Sequence, residues 1–155
     1  MLDVEARFWE LCDRATRHDE AHCRKLSNDA VSPDEAHMEA RASEEAMVEI
    51  IRLVESNPEH RPTFVRCFSD LVLWKRPAPI LLVAFCMRRL RFPEIPELIR
   101  RDAVAHDGTA YYADHVNYWS AINHAYFDEV WESAMCFYFY RQEVAEVESQ
   151  RRTKR

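Results

Sequence analysis

Apolar side chains recur every three or four residues along most of the chain, which is the period of an amphipathic α-helix. In residues 2–26 the repeated positions share one helical face, and charged side chains occupy the other faces. This pattern predicts a first helix over 2–26 that ends at Asn28 and Asp29. Its apolar face consists of Val4, Phe8, Leu11, Cys12 and Ala15.

The tetrapeptide Ser-Pro-Asp-Glu at 32–35 is a strong helix start. Ser32 can act as the N-cap, Pro33 suits the first helical position, and Glu35 is spaced to complete a capping box. A second helix is therefore predicted from here to residues 57–58, where Asn-Pro stops it. Its apolar positions are Ala36, Ala40, Met47, Ile50, Ile51 and Val54.

The second half of the chain continues the helical pattern in shorter pieces. A third helix is predicted over 64–72, and a fourth over 80–90 is apolar on almost all sides, which is typical of a buried helix. Prolines then break the chain, and a fifth helical segment follows over 98–104. A turn is predicted at 106–109, and one or two further helices over 110–148.

This succession predicts an all-α fold with a single domain over 1–150 and a basic flexible tail over 151–155. The expected architecture is an irregular bundle of about six or seven helices, with stacked hairpins of HEAT-like geometry as the alternative. No repeat of fixed period supports a repeat protein. Residues 136–140 have strand propensity but no partner strand of comparable quality, so they are assigned to a helix.

Glycine is almost absent, because Gly108 is the only one in the chain. Sheet proteins use glycine in hairpins and bulges, so its scarcity argues against an all-β fold. Rossmann and P-loop nucleotide sites need several glycines where the backbone approaches phosphate. These sites are therefore excluded, and no cofactor is predicted.

The termini and cysteines bear on the cellular compartment. Residues 1–5 carry acids where a secretory signal would carry Lys or Arg, and the apolar charge-free stretch 77–87 is too short to cross a bilayer. The five cysteines are odd in number and form no CxxC pair, which argues against a disulfide framework. We therefore expect a cytoplasmic protein with reduced thiols and no membrane partner.

Charge is sorted along the chain although the net charge is only −6. Residues 1–60 sum to −8 and residues 61–101 to +6, whereas residues 102–140 contain six acids and no Lys or Arg. Residues 141–155 sum to +2. The third block also holds 11 of the 18 aromatic residues. One stretch is therefore both acidic and rich in Tyr and Trp.

Tyr and Trp anchors concentrate binding energy at interfaces, and a field of one sign speeds encounter with an oppositely charged partner. The third block is thus expected to bind a basic protein. Two structural interpretations compete with this one: in the first the aromatics build the core, and in the second the acids pair internally with the arginines of 88–101. The predicted partner-binding residues are Asp107, Tyr111, Tyr112, Asp114, Tyr118, Trp119, Asp128, Glu129, Trp131 and Glu132.

Metal sites are the main catalytic alternative. His18 and His22 are four residues apart, a spacing that can chelate zinc, but the pair departs from the zincin pattern. His106-Asp107 is similar to the paired ligands of helical HD-type phosphohydrolases, with His60 and Asp128 nominated for the remaining places. Neither set is favoured. No metal ligand is therefore predicted, and a small helical metal-dependent hydrolase stays the runner-up.

Other chemistry has less support. Cys136 and His124 have only their residue types in favour of a nucleophilic pair. His106, His115 and His124 are nine residues apart, so they do not share one face of a helix and form no metal stripe. The basic block at 61–101, especially Arg88, Arg89 and Arg91, could contact nucleic acid, but the overall acidity and the lack of a recognition motif argue against that partner. We therefore predict a protein that is not an enzyme and has no catalytic residue.

Residues 85–94 and 125–132, which read FCMRRLRFPE and AYFDEVWE, resemble segments of small helical proteins from bacterial toxin and immunity loci. The resemblance implies a small, acidic, cytosolic protein that binds and neutralises a cognate toxin, often a basic nuclease. It implies no catalytic residue. The resulting hypothesis is an immunity-type inhibitor that binds a basic toxin through its acidic aromatic surface. A non-inhibitory helical adaptor and a homo-oligomer stay open as alternatives.

Overall fold

A computed structural model of the chain describes residues 1–128, 131, 137, 150 and 152–154. The elements of this part are all helical, which confirms the all-α fold. A 3-10 turn, Pro58–His60, precedes the third of six α-helices. The α-helices are α1 (Val4–Leu26), α2 (Pro33–Ser56), α3 (Arg61–Val72), α4 (Leu82–Leu90), α5 (Glu94–Ala105) and α6 (Ala110–Phe127).

The predicted helices and turn lie close to those of the structure. The prediction of helix through residue 148 is wrong at Trp131 and Phe137, which are not helical; its other residues beyond 128, including 136 and 138–140, lie outside the described residues. In the predicted tail, residues 152–154 are exposed. None of the helices in the described part of the chain is both long and apolar enough to span a membrane.

Short polar side chains begin three of the helices. Ser32 Oγ accepts a hydrogen bond from the Glu35 N–H at 3.3 Å, and Pro33 is the first residue of α2, as predicted. Asp3 caps α1 through the Ala6 N–H at 3.0 Å. Thr109 caps α6 through the Tyr112 N–H at 3.3 Å. These bonds satisfy backbone donors that have no partner inside the helix.

α1 and α2 pack along their lengths as an antiparallel hairpin. Arg7 and Arg14 of α1 both bind Glu49 of α2, whereas Lys25, near the other end of α1, binds Glu39. Residues later in α1 therefore contact residues earlier in α2, so the two helices run antiparallel. Between the helices, the buried Ser43 hydroxyl donates to the Ala15 carbonyl at 2.8 Å. A small polar residue here lets the two backbones approach closely without leaving its hydroxyl unpaired.

α4 is the most deeply buried helix in the described part of the chain. All six residues from Leu82 to Met87 are buried, because α4 packs against both α2 and α6. An aromatic cluster joins the other elements: the Phe8 ring meets the Phe68 ring at 5.0 Å in a T-shaped contact, and Phe68 meets Phe92 at 6.0 Å. A core of this kind fixes the positions of α3, α5 and α6.

Two helices end on left-handed residues that are not glycine, namely Trp74 with φ 55° and Arg91 with φ 52°. After α3, the Trp74 N–H donates to the Leu71 carbonyl at 3.1 Å and the Lys75 N–H to the Asp70 carbonyl at 3.0 Å. This is the Schellman pattern, whose left-handed position is usually glycine. A bulky residue in this conformation costs about 1–2 kcal/mol. Other contacts of these side chains must offset that strain.

The Arg91 side chain, together with that of Arg88, binds the C-terminal end of α6. This contact offsets the backbone strain at Arg91. The Arg88 guanidinium donates to the carbonyls of Ala125 and Asp128 at 3.0 and 2.6 Å, and Arg91 donates to the Tyr126 carbonyl at 2.6 Å. The last carbonyls of a helix have no partner inside it, and they carry the negative end of the helix dipole. Two guanidinium groups therefore neutralise the end of α6 and attach it to α4.

We predict that Arg91→Ala destabilises the fold more than Arg91→Gly. Both variants lose the guanidinium contact with α6, which costs about 1–2 kcal/mol. Only glycine relieves the left-handed strain, so Arg91→Gly should be more stable than Arg91→Ala by about 1 kcal/mol. Chemical denaturation of the two variants and the wild type measures the difference. Equal stability of the two variants would show that the backbone at this position is not strained.

Candidate protein-binding surface

The turn between α5 and α6 places acidic and aromatic residues together. His106 ends α5, the Thr109 N–H donates to its carbonyl at 3.1 Å, and Gly108 adopts φ 73° between them. A left-handed φ is cheapest for glycine, so the only glycine of the chain stands where the turn needs it. Asp107 is exposed on this turn. Asp102 before the turn and Tyr111 and Asp114 after it complete a group that we name the acidic corner.

Tyr111 is the central side chain of the acidic corner. Its ring lies between His106, at a centroid distance of 4.3 Å, and His115, which stacks on it at 4.1 Å. Its hydroxyl donates to Asp102 Oδ2 at 2.7 Å. Burial, the hydrogen bond to Asp102 and the negative charge of that carboxylate raise the pKa of Tyr111 to about 12. The ring is therefore held in one orientation at the surface.

The predicted partner-binding residues divide into three groups. Asp107 and Asp114 are exposed, and Tyr111, Tyr112 and Asp128 are partly exposed. Tyr118, Trp119 and Trp131 are instead buried in the core, which corrects the expectation that they are surface anchors. Glu129 and Glu132 lie outside the described residues.

The physical reason for the correction is the packing of α6. The Tyr118 hydroxyl donates to the Leu71 carbonyl at 3.3 Å, and burial raises its pKa. The Trp119 ring lies 5.4 Å from His115 and 5.9 Å from Tyr111. Tyr118 thus fastens α6 to α3, and Trp119 packs against Tyr111 of the acidic corner, so both act in binding only through the residues that they position.

The basic side chains of residues 61–101 pair with acids of the same block and with acids of residues 1–60. Arg61 binds Glu94 through two contacts of 2.6 and 2.9 Å, and Arg66 binds Glu5 at 2.6 Å. Within the described residues, Asp107 and Asp114 form no ion pair with a Lys or Arg, while Asp128 accepts a hydrogen bond from His124 Nδ1 at 2.8 Å. The expected internal pairing of the third block with the arginines of 88–101 is therefore not observed for Asp107 and Asp114.

The structure adds an anchor that the sequence pattern did not single out. Trp74 is 40% exposed at the end of α3, and its ring lies 5.0 Å from that of Tyr118. Asp114 precedes Tyr118 by four residues and so lies on the same side of α6. Trp74 therefore packs on α6 one helical turn from Asp114 of the acidic corner. The sequence signal for Trp74 is its position, because it stands just after α3, where a helix end usually has glycine.

The candidate metal ligands are engaged elsewhere or lie apart. His18 Nδ1 bonds to Glu39 Oε2 at 2.6 Å and His22 Nδ1 to the Ala36 carbonyl at 2.7 Å, so both serve the α1–α2 hairpin. His106 and Asp128 flank opposite ends of α6, about 27 Å apart for a helix of 18 residues. No group of three or more His, Cys, Asp or Glu in the described part of the chain is placed to hold a metal ion.

The other candidate sites have structural roles where the structure describes them. Arg88 and Arg91 hold α6, and Arg89 binds Glu55 at 2.8 Å, so these three arginines have partners within the fold. Cys12, Cys67 and Cys86 are buried free thiols, and burial raises the pKa of each. Buried thiols of this kind are poor nucleophiles. Cys136 lies outside the described residues.

Comparison with known proteins gives no match for this chain among protein families, curated proteins or solved structures. The likeness of residues 85–94 and 125–132 to immunity-locus proteins therefore stays a hypothesis from the sequence. A functional interpretation depends on the geometry of the acidic corner. That geometry offers fixed aromatic and carboxylate groups at a surface, an arrangement suited to recognition of cationic groups.

We predict that Tyr111 ionises near pH 12 in the native protein, about two pH units above its ordinary pKa of 10. A pKa raised by folding stabilises the native state below the ordinary value, and this contribution is lost as pH rises from 10 to 12. Tyr111→Phe should remove one tyrosinate absorbance step near pH 12 and destabilise the protein by about 1 kcal/mol at neutral pH.

Tyr112→Phe is the matched control, because it also removes one phenol but breaks no hydrogen bond to Asp102. It should leave the step near pH 12 in place. A Tyr111 step at the ordinary pKa would contradict the hydrogen bond to Asp102.

Proposed function

We propose that this chain is a protein-binding protein of the immunity type, which neutralises a basic toxin by covering it with the acidic corner. The partner would be a cationic protein in the same cytoplasm. Inhibition by binding requires no catalytic group from this chain. The acidic corner would supply charge through Asp107 and Asp114 and contact area through Tyr111, with Tyr112 beside it.

The observation that carries the proposal is the unequal pairing of charges. The arginines of α3 and α4 contact carboxylates or carbonyls within the fold, whereas Asp107 and Asp114 have no cationic partner among the described residues. Residues 102–140 contain no Lys or Arg. The two exposed carboxylates are therefore available to a cation from outside, and long-range attraction would speed the encounter.

The rigidity of the corner also supports the proposal. Tyr111 is held by two ring contacts and a hydrogen bond, and α6 is fixed by Arg88 and Arg91 at its other end. A surface that is already ordered loses little conformational entropy on binding. Ordered tyrosines are also common energetic anchors of interfaces.

The test is co-expression with the product of the adjacent gene, followed by purification of the complex and measurement of its association rate across a salt series. The expected result is a complex that abolishes a toxic activity and weakens as salt rises. Asp107→Lys with Asp114→Lys should slow association at low salt by about tenfold or more and flatten the salt dependence. The fold should be unchanged, because both carboxylates are exposed.

The matched control is Glu20→Lys with Asp29→Lys, which makes the same charge change on exposed residues of α1 and the α1–α2 connection. The control should keep most of the association rate. Equal losses in both double variants would show that net charge, and not the acidic corner, governs binding. Wild-type binding by Asp107→Lys with Asp114→Lys would remove the corner from the interface.

A further inference from the structure

Trp74 combines three features that are rarely found together. It is exposed, its backbone is left-handed, and its ring packs against a buried aromatic. Strained backbone conformations persist only where surrounding contacts hold them, and they cluster at functional positions. In Trp74 the strain directs an indole to the surface where a glycine would form the same helix end without cost.

One backbone carbonyl connects Trp74 to α6. The Leu71 carbonyl accepts both the Trp74 N–H, at 3.1 Å, and the Tyr118 hydroxyl, at 3.3 Å. The end of α3 and the middle of α6 are therefore held by the same acceptor, and the Trp74 ring lies against the Tyr118 ring. This arrangement fixes the indole relative to the side chains that neighbour Tyr118 on α6.

Asp114 is one of those neighbours. Residues four apart on a helix have Cβ atoms about 6 Å apart, so Asp114 lies one helical turn before Tyr118, on the same side of α6. The closest cation in sequence, Lys75, binds Asp70 at 3.3 Å and does not occupy Asp114. An exposed indole thus packs on Tyr118, an exposed carboxylate lies one helical turn away on the same side of α6, and that carboxylate has no cationic partner within the described residues.

We propose that Trp74 and Asp114 form the receptor for an arginine side chain of the partner, an inference that rests on the proposed function. A guanidinium is planar, so it can stack on an indole while its N–H groups donate to a carboxylate. A lysine ammonium lacks both the planar stacking surface and the paired donors. The surface therefore selects arginine over lysine, and the partner presents an arginine at the centre of its basic face.

The experiment uses the isolated protein and two defined probes, tetra-arginine and tetra-lysine peptides. The indole N–H signals of the four tryptophans are followed by NMR during titration of each peptide. The Trp74 signal should shift and saturate, and tetra-arginine should bind about threefold or more tightly than tetra-lysine. Equal affinity for the two peptides, or a shift confined to Trp9, would overturn the proposal.

Variants assign the binding to the two side chains. Trp74→Leu keeps an apolar side chain at the left-handed position, and Asp114→Asn removes one charge; each should lower tetra-arginine affinity by about threefold or more. Glu20→Gln removes one exposed charge elsewhere and should have little effect. If Trp74→Leu does not fold, the proposal is tested by comparing Asp114→Asn with Glu20→Gln. Equal affinities of these two variants for tetra-arginine overturn the proposal.

The peptide titration separates this inference from the proposed function. Arginine selectivity at Trp74 without any inhibitory complex would support the receptor and contradict the immunity role. An inhibitory complex whose formation is unaffected by Trp74→Leu and Asp114→Asn would support the immunity role and overturn the receptor.

Discussion

The position of the acidic corner depends on the attachment of α6 to α4 by arginine. A helix that packs into a core brings its last carbonyls close to apolar surroundings, where an unpaired polar group is costly. Arg88 and Arg91 supply the missing donors, and their positive charges complement the helix dipole. Because α4 is buried between α2 and α6, its arginines lie in a fixed place. The basic block of the sequence is therefore largely structural.

The scarcity of glycine leads to the second constraint. Helix ends that would normally use glycine are formed here by Trp74 and Arg91, and in each case the side chain makes a contact that glycine could not make. Arg91 binds the end of α6, and Trp74 covers Tyr118. The strained backbone at both positions is compensated by tertiary contacts, so these two residues couple the helix ends to the placement of α6.

The sequence predicted the helices well because their signals are local. The Ser32 cap, the prolines and the apolar periodicity each act within a few residues, and the structure confirms α1, α2 and the turn around Gly108. It could not show which aromatics of α6 are exposed, because apolar residues occur on most sides of that helix. The burial of Tyr118 depends on Leu71, which is 47 residues earlier in the chain. Such contacts have no local signal.

The acidic and basic blocks are separate along the sequence, but many of their side chains lie next to opposite charges in the folded structure. Arg66, Arg76 and Arg89 of the basic block meet acids of residues 1–60, so part of the apparent segregation is cancelled by folding. Asp107 and Asp114 are left outside this pairing. Exposed carboxylates contribute little to folding stability, and two of them near each other repel slightly. The fold does not require them where they are, which leaves both carboxylates for the proposed contact with a cationic partner.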